Sequence, residues 1–101
     1  MNSYISNLYL KPVDSATSQR LTPTSSTTES FAPFLRSTKA ITFDVQVGDA
    51  FMTIDGSTPT STNGHRVYAT RAYTLSVEAA RAAKFIADAG NAVIYASEMT
   101  N

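Results

Sequence analysis

The clearest alternation in the chain is AITFDVQV, Ala40 to Val47, where Ile41, Phe43, Val45 and Val47 fall on one side and Thr42, Asp44 and Gln46 on the other. A period of two held over this length predicts a strand with one buried face. Gly48-Asp49 is a turn signal, and AFMTID, Ala50 to Asp55, resumes with β-favouring residues, so the pattern predicts an antiparallel hairpin. DGSTPTSTNG, Asp55 to Gly64, holds no large apolar residue and places Asp-Gly and Asn-Gly steps around Pro59, which predicts a turn-rich loop. Arg66 to Ala69 and Ala72 to Ser76 follow as two short strand candidates.

Ser76 to Asn91, SVEAARAAKFIADAGN, reads two ways. Its alanines, Ser76 as a cap and Gly90 as a stop favour a helix, yet its only large apolar residues are Val77, Phe85 and Ile86, a weak helical face. The reading adopted is a short helical turn over Val77 to Arg81, followed by a closing hairpin of AKFIAD and AVIYASEM about Gly90-Asn91.

The N-terminal part lacks such patterning. Asp14 to Ser30 contains one large aliphatic residue, Leu21, among Ser, Thr, Pro and charges, so read alone it is a flexible arm. Pro12, Pro23 and Pro33 bias their predecessors toward extended conformations. Ahead of it, Tyr4, Ile5, Leu8, Tyr9, Leu10 and Val13 form an apolar cluster, predicted to anchor on the domain or on a neighbouring subunit. The expected organisation is an extended arm over residues 1–39 and, over residues 40–101, a mainly all-β domain, a small antiparallel β-sandwich or barrel with one short helical turn.

Composition narrows the function. At 101 residues the chain holds one domain, and 14 alanines within its 43% apolar fraction leave a thin core. Twenty-six serines and threonines favour strands, turns and solvated segments over helices. Eight basic residues balance eight acidic ones, which gives no electrostatic basis for non-specific binding to nucleic acid or an anionic membrane. The absence of cysteine excludes disulfides, thiolate nucleophiles and zinc-thiolate sites. Without a run of about 18 apolar residues or a leader-like start, the expectation is a soluble protein made where it is used.

Chemistry-bearing constellations are sparse. His65 is the single histidine, with no second imidazole or thiol to share a transition metal, and it fits a solvated or loop-packing role better than a ligand or general base. Asp44, Asp49 and Asp55 lack the spacing and the bidentate glutamate of a calcium loop. The serines have no nucleophile-elbow pattern to pair with His65. No catalytic residue, cofactor or metal site is therefore expected. The five tyrosines and five phenylalanines are read as core and interface residues, and the exposed half of AITFDVQV suits addition to a neighbouring sheet edge. A carbohydrate-binding module remains an alternative if Tyr68, Tyr73 and Tyr95 align on one face.

Over Ala50 to Thr100 the chain reads AFMTIDGSTPTSTNGHRVYA, then YTLS, then AAKFIADAGNAVIYASEMT. This resembles small structural proteins of tailed bacteriophages, in which a strand, a D-G-x-x-P-T-x-x-x-G-H loop, another strand and a terminal hairpin recur in a compact β-sandwich. Ile54, Asp55, Gly56, Pro59, Thr60, Gly64 and His65 carry the match, with Phe85, Ile86 and Ala92 to Tyr95; many such proteins have a glycine where Ala69-Thr70-Arg71 stands. The resemblance implies a non-enzymatic virion component on the capsid surface, assembled in the host cytoplasm: a decoration or cement protein contacting the major capsid protein and copies of itself as a homo-oligomer. A tail, neck or fibre-attachment component is the alternative. The residues expected at such contacts are Tyr4, Ile5, Leu8, Tyr9 and Leu10 in the arm, and Asp55, Pro59 and His65 at the loop.

Overall fold

The computed structural model describes residues 10–101; the predicted contacts at Tyr4, Ile5, Leu8 and Tyr9 lie outside the described residues. Two antiparallel sheets face each other as a small β-sandwich, the expected class. In chain order the elements are β1 (Lys11–Pro12), β2 (Gln19–Leu21), β3 (Ala40–Val47), β4 (Ala50–Thr53), β5 (His65–Val67), β6 (Ala72–Ser76), α1 (Val77–Ala82), β7 (Lys84–Ala87) and β8 (Val93–Thr100). One sheet has the order β1-β8-β3-β6, with β2 also on β8, and the other β5-β4-β7.

The alternation in β3 holds through Val45, but Val47, expected on the same buried face, is exposed because the register with β8 shifts between Val45 and Val47. Ile41, Phe43 and Val45 are fully buried, while Thr42 and Asp44 face outward beside Ser97 and Tyr95 of β8. Met52 and Val67 from the opposing sheet, with Phe85 of β7 and Ile94 of β8, complete the interior. Phe85 meets Phe43 edge-on at 5.5 Å between ring centroids, and Tyr73 of β6 stacks on Phe43 at 5.4 Å. The Tyr73 hydroxyl accepts the Tyr68 N–H at 2.8 Å, tying β6 to the chain just past β5 in the other sheet.

Both predicted hairpins are corrected. β3 pairs with β6 and β8 whereas β4 pairs with β5 and β7, so Gly48-Asp49 is a corner between the sheets. β7 pairs with β4, and Gly90-Asn91 turns the chain back to β8 in the first sheet. Alternation specifies which side chains point inward; it does not say whether two inward faces share one sheet or oppose each other. The short helix is where it was expected: Ser76 caps it by accepting the Ala79 N–H, and Val77 and Ala80 are its buried residues.

The arm expected over residues 1–39 is extended from Leu10 on, but it is woven into the sandwich. β1 and β2 run along the outer edge of β8. The chain then bridges Asn91 through Thr24 and pairs Glu29 with Phe85 on β7, so one segment covers the same-side edges of both sheets. Leu21 and Pro23 are buried, Phe31 lies 5.4 Å edge-on to Phe85, and Phe34 packs on Phe31. Glu98, inward-facing on β8, fixes the far end of this segment by accepting the Leu35 N–H and the Thr38 hydroxyl on one carboxylate oxygen, Oε1. A composition poor in apolar residues hid this because edge pairing uses main-chain groups, which every non-proline residue carries.

Candidate functional site

β4 and β5 are joined by the loop the sequence singled out, and this connection is a true hairpin, with Met52 opposite His65. The loop is braced from within. The Asp55 carboxylate accepts both the backbone N–H and the hydroxyl of Ser57, an Asx-type turn. Those two bonds hold the Asp55 carboxyl below its ordinary value, the hydroxyl bond contributing most. Thr53 donates its hydroxyl to the Ser57 carbonyl, and the Asn63 amide reaches the Thr58 carbonyl at 3.1 Å. Thr60 and Asn63 exchange backbone bonds. Gly64, at φ +142°, lies against the Met52 backbone, where a Cβ would meet the Met52 carbonyl oxygen at 3.1 Å.

The predicted contact residues separate under this geometry. Asp55 and His65 line one shallow depression with Met52, Ile54 and Asn63. Pro59 is fully buried, so it plugs the loop from inside and presents no surface to a partner. Around it, Thr58, Thr60, Ser61, Thr62 and Asn63 are exposed. Leu10 stands elsewhere, at the ends of β3 and β6 beside Ala40, Thr74 and Leu75. No ion pair joins Asp55 to His65 among the described residues, and no group of three or more metal-ligating side chains occurs among them.

A second surface cluster, without a sequence signal, lies on the same sheet as the loop. Arg66 of β5 donates to Asp49 at 3.0 Å and to Asp88 at 2.6 Å, and its guanidinium lies over the Phe51 ring at 5.3 Å. Asp49 also accepts the Ala69 N–H at 2.9 Å; that bond, with the Arg66 bond after it, lowers the Asp49 carboxyl from its ordinary value. Arg71 and Arg66 both face Tyr68, which is 43% exposed. The corner at Gly48-Asp49 brings these residues together across 17 to 22 positions of sequence, a separation that no local pattern encodes.

The tyrosine alignment that a glycan platform needs is not formed. Tyr73 stacks inward on Phe43, Tyr95 is exposed on the outer face of β8, and Tyr68 belongs to the link after β5. Comparison with family models, curated proteins and solved structures finds no match.

Proposed function

We propose that this chain is a non-enzymatic structural protein of a tailed-bacteriophage virion, a capsid decoration protein that contacts the major capsid protein and copies of itself. The observation that carries the reading is the loop Asp55 to Gly64: exposed at nearly every position yet fixed by its own hydrogen bonds and by the buried Pro59. A loop ordered before it binds loses little conformational entropy on docking, so small contacts repeated over a shell accumulate into stable attachment. The sequence resemblance over Ala50 to Thr100 supplies the virion context, and it rests on this same loop.

The edge-covering segment 11–29 supports the mechanical role. By pairing with β8 and β7 it bridges the edges of both sheets. A protein that binds the closed shell and not the opened one stabilises the shell by mass action.

Purified protein mixed with expanded capsids lacking it should co-sediment saturably and raise the temperature of capsid disruption. Asn63→Ala, which removes the side-chain amide bonds to the Ser57 hydroxyl and the Thr58 carbonyl and so loosens the loop while leaving the core intact, should weaken that binding several-fold. Absence of binding to the shell would overturn the decoration reading and favour the tail or neck as the site of action.

A further inference from the structure

The edge strand on β8 is interrupted. Lys11 and Pro12 pair with Thr100 and Met99, Val13 donates to the Glu98 carbonyl, and pairing resumes only at Gln19 opposite Ala96. Asp14 to Ser18 loop away between these points, starting at a turn where Ser15 takes φ +67°, a left-handed conformation that costs an L residue energy. The detour opens a cleft of about 360 Å³ lined by Ser15, Thr17 and Ser18, by Ala32, Pro33 and Leu35, and by Glu98, with the Gln19 side-chain amide, also in the lining, bonded to the Ala32 N–H and carbonyl.

Glu98 is 7% exposed and makes no ion pair among the described residues. Both of its hydrogen bonds, from the Leu35 N–H at 2.7 Å and the Thr38 hydroxyl at 2.6 Å, fall on Oε1. Oε2 has no protein donor among the described residues and is open to solvent, since no buried side-chain oxygen there lacks a partner. Holding the arm in place therefore accounts for half of this carboxylate.

We propose that the cleft over Glu98 binds a protonated primary amine on an unbranched alkyl stem. The carboxylate favours a cation, because a neutral ligand seated over Oε2 would strip its solvent without supplying a partner for the charge. A guanidinium binds carboxylates best as a two-pronged fork across both oxygens, and Oε1 is already occupied by two donors. An ammonium needs a single oxygen for one of its three protons and takes hydroxyl oxygens for the others, which Ser15, Thr17 and Ser18 supply at the rim. Ala32, Pro33 and Leu35 offer the apolar wall along which a methylene stem lies. A divalent metal fits poorly, since the cleft offers one carboxylate.

The test is a titration of the full chain, followed by backbone amide NMR shifts, with three probes: n-butylammonium, Nα-acetyl-lysine amide and Nα-acetyl-arginine amide. Saturable shifts centred on Ser15, Ala32, Leu35 and Glu98 are expected from both amines, with the arginine probe at least about tenfold weaker. Equal affinity for the two amines would assign the site to free alkylamines, and tighter binding of the lysine amide to a lysine on a partner protein; either supports the site. Glu98→Gln keeps the Oε1 acceptor and removes the charge, and should weaken both amines at least about tenfold with the fold retained. An arginine probe that binds as well as lysine, a Glu98→Gln variant that binds like the parent, or shifts that do not saturate would overturn the proposal. The lysine–arginine comparison needs no variant, so it holds even if the substitution impairs folding.

Discussion

Gly48 and the carbonyl of Asn91 stand in contact where the two sheet-crossing corners meet. A Cβ built on Gly48 would fall 2.6 Å from the Asn91 oxygen, and Gly48 takes φ +69°. One corner sends β3 to β4 and the other returns β7 to β8, so this single contact registers both exchanges between the sheets.

Gly48→Ala therefore combines a left-handed backbone penalty with a clash against main chain that has no rotamer by which to escape. The expected loss is about 3 kcal/mol. Gly56 has φ +84° but nothing within 4 Å of its would-be Cβ, so Gly56→Ala should cost only about 1 kcal/mol. Urea unfolding of the two variants measures the difference; equal losses would mean that the corner yields.

Leu21→Ala tests whether the N-terminal segment is part of the cooperative domain. Leu21 is 7% exposed and belongs to the core cluster, so its truncation should cost about 2–4 kcal/mol and lower the single unfolding midpoint. A segment that merely rests on a self-sufficient 40–101 domain would instead show a change of a few tenths, or a separate early transition.

What the sequence revealed and what it concealed divide along one physical line. Inward-facing side chains leave a periodic trace, and β3, the short α1 helix and the β-rich class follow from Ile41, Phe43, Val45 and the Ser76 cap. Partner choice leaves none: Gly48-Asp49 reads equally as a hairpin turn or a corner, and the edge pairing of Lys11, Gln19 and Glu29 is made by main chain. The loop Asp55 to Gly64 is legible because its turn residues are local, whereas the burial of Pro59 leaves no such trace because it depends on how the loop closes. The Arg66 cluster and the Oε2 face of Glu98 were invisible, since each is assembled from segments far apart in the chain.

Thr70 takes φ +67° between β5 and β6, a conformation that glycine adopts freely and a β-branched residue resists. The turn is held by bonds from the Thr70 N–H to the Val45 carbonyl and from the Val45 N–H to the Arg71 carbonyl, both independent of the side chain. Thr70→Gly should thus stabilise the protein by about 1 kcal/mol, the relief of strain exceeding the added freedom of the unfolded chain. A destabilised variant in thermal unfolding would show that the Thr70 hydroxyl bond to the Ala69 carbonyl outweighs the strain.

Asp49 makes the acid limb of stability depend on the corner. The Ala69 N–H and the Arg66 guanidinium favour its charged form, so its carboxyl titrates below the ordinary 3.8 in the folded protein, and Asp55 is lowered likewise by Ser57. A carboxyl with a lowered folded pKa contributes stability that is fully present above the unfolded value. It is lost as pH falls through the folded one, because the unfolded state then binds more protons. Stability should fall with acid from just above pH 3.8 downward, and Asp49→Asn should flatten that fall, bringing the stabilities at the two ends of the acid limb closer together than in the parent. The exposure of the Arg66 pair makes its contribution screenable, so added salt should shrink the difference between parent and variant, whereas the part due to the Ala69 N–H should persist. Denaturant midpoints measured from strongly acidic to neutral pH at low and high salt separate the two, and an unchanged acid slope in the Asp49→Asn variant would remove Asp49 as the group responsible.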